Sequence, residues 1–123
     1  MGNAIGNRRV IAVVPAYNER DNIVSTIEDL QTNAPGVDYV IVNDGSKDDT
    51  LDICREHGYN VVDLPVNLGL TGAFQTGMRY AHEHDYDYAI QFDADGQHSA
   101  AYIEEMVKVA ENKGANIVIG SRF

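Results

Sequence analysis

Asp93 and Asp95 stand one residue apart at the end of an apolar run, and Gln97 follows two residues later. In a chain that leaves a strand still extended, residues two apart project to the same face, so these oxygen donors would converge. Hard oxygen ligands suit Mg²⁺ or Mn²⁺ rather than zinc or copper, and such an ion keeps positions open for phosphate oxygens. Taken alone, an Asp-x-Asp is more readily a solvated acidic turn with a helix cap. Other apolar runs, however, also end in polar residues: Tyr17, Asn18 and Glu19 after one, Asn43 and Asp44 after another. Gathering Glu19, Asp44, Asp93 and Asp95 at one rim sets like charges together, and a divalent cation is the economical compensation.

The elements that must position these residues are short β-branched runs alternating with helix-period segments, which is the pattern of βαβ units and a mainly parallel sheet. Five strands are expected, over Val10–Val14, Tyr39–Val42, Asn60–Leu64, Tyr88–Phe92 and Asn116–Ile119, the first stopped by Pro15. Four helices are expected between them. Ile23, Ile27 and Leu30 mark the first, and Ser46 with Asp49 reads as a capping box for the second, which ends at Gly58. The third carries Ala73, Gly77, Tyr80, Ala81 and His84 after the turn Asn67–Gly72, and Ser99 caps a fourth with Ile103, Val107 and Ala110 on one face. Gly69, Gly72 and Gly77 fit two readings equally, close approach to a ligand or a turn with tight helix packing. In such a sheet, ligands bind beyond the carboxyl ends of the strands where the strand order reverses, and the polar residues named above sit at those ends.

Composition bounds the rest. The chain has 123 residues, 19 Asp and Glu against 9 Lys and Arg, and a net charge of −10, which argues against a nucleic-acid partner. One domain over residues 1–123 is expected. A single cysteine, Cys54, excludes an internal disulfide and, lying within a helix, reads as a small buried hydrophobe. There is no G-x-G-x-x-G after the first strand, no P-loop and no nucleophile elbow. No run is long and apolar enough for a membrane helix and no secretory leader opens the chain, so a cytoplasmic location is expected.

Five blocks in order resemble the nucleotide-sugar-binding half of family 2 glycosyltransferases with the GT-A fold. They are Val13–Glu19, Val42–Thr50, Asn67–Gly69, Asp93–His98 and Gly120–Phe123. Within that family the chain is most similar to the dolichyl- and polyprenyl-phosphate sugar transferases, whose acidic motif also ends in Gln-His. The resemblance implies an α/β, Rossmann-like sheet with helices on both faces. It implies that Pro15, Tyr17 and Glu19 lie against the nucleotide, that Val42 and Asp44 hold base and ribose, and that Asp93 and Ala94 touch ribose and diphosphate. Asp95 would be the principal metal ligand, with Asp93 and Gln97, and Arg122 would face the phosphates or the acceptor. Asn43 stands where Asp is frequent, a change expected to matter little.

The implied reaction moves a sugar from a UDP- or GDP-sugar to a polyprenyl phosphate or a glycan, with inversion, Mg²⁺ or Mn²⁺ stabilising the charge on the departing phosphate. A polyprenyl phosphate is already an anion and needs no general base, which residues up to Phe123 do not clearly supply. The chain is expected to be a donor-binding portion truncated at its carboxyl end. Membrane contact is expected only through residues beyond Phe123, placing a full-length protein peripherally at the cytoplasmic face. A non-catalytic nucleotide-binding or regulatory module on the same fold is the alternative.

Overall fold

A computed structural model describes residues 4–5, 8–92, 103 and 117–119. Its elements run β1 (Ala4–Ile5), β2 (Arg8–Ala16), α1 (Ile23–Asn33), β3 (Asp38–Asp44), α2 (Thr50–Glu56), β4 (Val61–Leu64), α3 (Gly69–Glu83), β5 (Tyr88–Gln91) and β6 (Ile117–Ile119). Strands β4-β3-β2-β5-β6 pair in that order, all parallel, and β1 pairs antiparallel with the start of β2.

The expected parallel α/β sheet is therefore present, with helices on both faces. Alternate residues of β2 feed two cores. Val10, Ala12, Val14 and Ala16 pack with Ile23, Ile27 and Leu30 of α1, Cys54 of α2 and Ile103, while Ile11 and Val13 pack with Ala73 and Ala81 of α3. A sheet covered on both faces needs apolar side chains at every position of a central strand, which is why β2 reads as an unbroken run.

Three local expectations are corrected. β1 was not anticipated, although Gly6-Asn7 between Ile5 and Arg8 is a dipeptide suited to a two-residue hairpin. β2 continues through Pro15 to Ala16, in register with Val42 and Asn43 of β3. Ser46 and Asp49 form no capping box: α2 begins at Thr50, and its N-cap Asp49 makes no side-chain cap bond. The expected fourth helix, Ile103 apart, lies outside the described residues.

Pro15 is tolerated because of where its missing donor falls. The Phe92 N–H donates to the Val13 carbonyl at 2.8 Å, so Val13 faces β5, and alternation turns the Pro15 nitrogen to the same side. The β2–β5 ladder has just ended there, at Val13 opposite Gln91. The two strands part at this point with no ladder donor lost. It is also the point where the strand order reverses, since the chain steps outward from β2 to β3 and β4, then returns to β5 on the other side.

Candidate functional site

The rim above the switch point is built from the loops that follow β2, β3 and β4, and side chains tie these loops together. Asn18 adopts a left-handed backbone (φ 54°), a conformation that Asn tolerates better than most residues. Its N–H donates to Ser46 Oγ at 2.9 Å, and its Oδ1 accepts from the Lys47 and Asp48 N–H groups at 2.8 and 3.3 Å. The Glu19 N–H donates to Thr50 Oγ1 at 3.0 Å, and the Glu19 carbonyl accepts from Asn22 and Ile23 at the start of α1.

Asp48 closes this junction by accepting from the Thr50 N–H at 2.9 Å, from the Thr50 hydroxyl, and from the Arg20 N–H at 3.4 Å. Burial raises its carboxyl pKa, and these hydrogen bonds outweigh that and hold it below the usual value. The stabilisation is thus present above the ordinary Asp pKa and is lost as pH falls through the lowered one.

Asn43 is buried at the end of β3. Its amide donates to Asp63 Oδ1 at 2.8 Å on β4, and its Oδ1 accepts from Ser46 Oγ at 2.6 Å. Only a group with both donor and acceptor can bridge those partners, since a carboxylate is acceptor-only. Asn at 43 is consequently specific, contrary to the expectation that it matters little.

Asp44 is 3% exposed. Its two carboxylate oxygens accept from the N–H groups of Leu68 at 2.6 Å and Gly69 at 3.0 Å, at the opening of α3. The Asn67 amide donates to the Asp44 carbonyl at 3.2 Å. The α3 N-cap, Leu68, has no capping side chain of its own, so a carboxylate from a strand 24 residues back provides the cap and meets the positive end of the helix dipole. Gly45 allows this approach: at φ +69°, a Cβ there would lie 2.7 Å from the Asn67 nitrogen.

The remaining site residues divide clearly. Tyr17 is exposed on the rim, Pro15 and Glu19 are half-buried beside it, and Val42 is fully buried in the α3-side core. Val42 thus acts as support beneath the rim, without side-chain surface to offer a base. Asp93, Ala94, Asp95, Gln97 and Arg122 lie outside the described residues. β5 leads toward the first four, delivering Phe92 to Val13 at the switch point. Among the described residues no group of three or more His, Cys, Asp or Glu is arranged to hold a metal ion. The glycine alternatives resolve in part toward packing, because a Cβ on Gly77 would fall 2.1 Å from Val13 Cγ1. Asn18, Ser46, Thr50 and Asp63 form a network that the sequence reading did not assign. Its only local signal was the clustering of turn-forming Asn, Asp, Gly and Ser after the strands.

The profile of the glycosyl transferase family 2 domain matches residues 11–123. The chain belongs to glycosyl transferase family 2. This family 2 chain is 31% identical over 119 residues to an undecaprenyl-phosphate mannosyltransferase of Micrococcus luteus, covering 93% of this chain and 48% of that protein. It is 32% identical over 136 residues to a UDP-N-acetylglucosamine–dolichyl-phosphate N-acetylglucosaminyltransferase of Methanococcus voltae, covering 97% and 54%. The chain spans about half the length of these curated relatives. Among solved structures it is similar to glucosyl-3-phosphoglycerate synthase of Mycobacterium tuberculosis in complex with Mn²⁺, UDP and phosphoglyceric acid, with a TM-score of 0.66, 26% identity, and coverage of 83% of this chain and 38% of that one. The GT-A fold expected from the motif blocks is thereby shown.

Proposed function

We propose that the chain is the nucleotide-sugar-binding portion of a hexosyltransferase that moves a sugar, with inversion, from a UDP- or GDP-sugar to a polyprenyl phosphate. The observation that carries this reading is the switch point between β2 and β5, where their ladder ends at Val13 and the polar segment Tyr17–Glu19 leaves the sheet after Ala16. A nucleoside diphosphate fits such a crevice. Tyr17 and Glu19 would bound the nucleotide, with the Asp44-capped start of α3 and the Asn43–Ser46 junction holding the β3 side of the rim. Asp93, Asp95 and Gln97 would hold the divalent ion. Their donors are hard oxygens suited to Mg²⁺ or Mn²⁺, and the similar glucosyl-3-phosphoglycerate synthase of Mycobacterium tuberculosis is solved with Mn²⁺ and UDP. Such an ion, when bound, stabilises negative charge on the departing diphosphate.

The acceptor assignment draws on the named specificities of the relatives and on charge. A phosphate monoester carries its own nucleophilic oxygen, whereas a hydroxyl acceptor needs a positioned base. Donor binding belongs to this portion, and transfer by the 123 residues alone is weak or absent. The test is transfer of a radiolabelled sugar by the longest form of the protein, offered undecaprenyl phosphate, undecaprenol and a soluble glycan in parallel. Label on the phosphate lipid alone is expected. Label on the glycan with none on the phosphate lipid would overturn the acceptor reading.

A further inference from the structure

Tyr17 and Glu19, the side chains proposed to bound the nucleotide, stand on a segment that has left the sheet. The β2–β5 ladder ends at Val13 and the β2–β3 ladder at Ala16. Between the two side chains sits Asn18, which is exposed and belongs to neither hydrophobic core. Its backbone lies in the left-handed region, at φ 54°. A residue with a Cβ is held there at a cost, which is lowest for Asn and Asp.

A clasp onto the loop between β3 and α2 offsets that cost. The Asn18 N–H donates to Ser46 Oγ at 2.9 Å, and its side-chain Oδ1 accepts from the Lys47 and Asp48 N–H groups at 2.8 and 3.3 Å. These bonds span 28 to 30 residues of sequence, so they join two loops rather than tighten one. Ser46 carries the tie inward, its hydroxyl donating to Oδ1 of the buried Asn43 at 2.6 Å. The next peptide is held separately, because the Glu19 N–H donates to Thr50 Oγ1 and the Glu19 carbonyl accepts from the start of α1. Asn18 is therefore the point at which the segment between Tyr17 and Glu19 can open while the sheet and α1 stay folded.

We infer that Asn18 is a positioning residue for nucleotide binding: by clasping Ser46, Lys47 and Asp48 it holds Tyr17 and Glu19 in the arrangement that meets the nucleotide. This rests on the donor reading of the switch point and adds to it a residue that acts through its neighbours. When the clasp opens, the binding-competent fraction falls and the apparent Kd rises by the inverse of that fraction. A role confined to global stability behaves differently. A variant that melts earlier but is still almost wholly folded at room temperature binds there as tightly as the parent.

Isothermal titration calorimetry at room temperature on the longest form of the protein, with Mn²⁺ and UDP and separately with Mn²⁺ and GDP, tests this. Asn18→Ala removes Oδ1 and leaves alanine at φ 54°, so the Kd of the nucleotide that the parent binds should rise at least about tenfold. Asn18→Gly loses the same acceptor without the strain and should fall between the two. Asn18→Asp keeps an acceptor and tolerates the backbone, so it should recover most of the affinity that Asn18→Ala loses. Ser46→Ala removes the acceptor of the Asn18 N–H from the opposite loop and should weaken binding in the same direction. Far-UV circular dichroism and cooperative melts well above the titration temperature establish that each variant is folded. A folded Asn18→Ala whose Kd lies within about twofold of the parent's would overturn the inference. Where Asn18→Ala does not fold, parent-like Kd values in both Asn18→Gly and Ser46→Ala would overturn it. A folded parent that binds neither nucleotide would show instead that the donor reading fails, and this inference with it.

Discussion

Removing the Asp44 carboxylate tests whether the rim is held as described. In Asp44→Ala the Leu68 N–H loses its acceptor at 2.6 Å, the Gly69 N–H keeps only Asn67 Oδ1 at 3.1 Å, and α3 loses its capping charge. A hydrogen bond to a charged group contributes about 1.5–3 kcal/mol, so loss of the Leu68 bond alone gives ~2 kcal/mol. A chain of 123 residues unfolds with an entropy of about 0.26 kcal/mol/K, so ~2 kcal/mol corresponds to a fall in Tm of about 8 °C. Asp44→Asn keeps one acceptor and loses the charge, so it should fall between parent and Asp44→Ala. Differential scanning calorimetry with urea titration of all three proteins measures both quantities. An Asp44→Ala protein that melts within about 2 °C of the parent would refute the reasoning, for the carboxylate would then be structurally idle.

Three further outcomes are expected. Asn43→Asp is isosteric but places a carboxylate 2.8 Å from Asp63 Oδ1, at a cost of about 1–3 kcal/mol at neutral pH. The like-charge contact raises the folded-state pKa of that pair, so the deficit should shrink as pH falls toward about 4, which urea midpoints across pH would show. Gly77→Ala gains about 1 kcal/mol of helix propensity but drives a Cβ to 2.1 Å from Val13 Cγ1 in the centre of the sheet. Overpacking of about 1–3 kcal/mol should prevail, and a urea midpoint at or above the parent's would show otherwise. Cys54 is fully buried, and burial pushes its thiol pKa up to about 11, so a thiol-specific chromogenic reagent at pH 8 should react slowly with the native chain and at once after denaturation.

What was legible in the sequence follows from how each feature is held. The parallel sheet announced itself because β2 and β3 are buried on both faces, so Val10–Val14 and Val40–Val42 had to be apolar at every position. The strand ends were legible for the same reason, as the first polar residues after those runs. Pro15 was misread as a stop because its missing donor was considered without the register that turns it toward the end of the β2–β5 ladder. Ser46 was misread as a cap because the competing partners, Asn18 and Asn43, come from a loop 28 residues away and from the preceding strand. The tie from Asp44 to α3 depends on how the β3 and β4 loops approach at Gly45, which is set by tertiary packing and leaves no local signature beyond the glycine. Motif blocks identified the family, whereas the network that shapes the rim emerged only from the folded arrangement.

The central claim is that this chain binds a nucleoside diphosphate at the β2–β5 switch point with a divalent ion held by Asp93 and Asp95. Thermal stability of the purified chain with Mn²⁺ and UDP, GDP or their sugars, beside Asp95→Ala, tests it most directly. A ligand specific to the native state at about one hundred times its Kd adds roughly 2.7 kcal/mol. The account predicts a metal-dependent rise in Tm with one nucleotide and its loss in Asp95→Ala. A cooperative melt unmoved by every nucleotide, or a shift that Asp95→Ala retains in full, would contradict it.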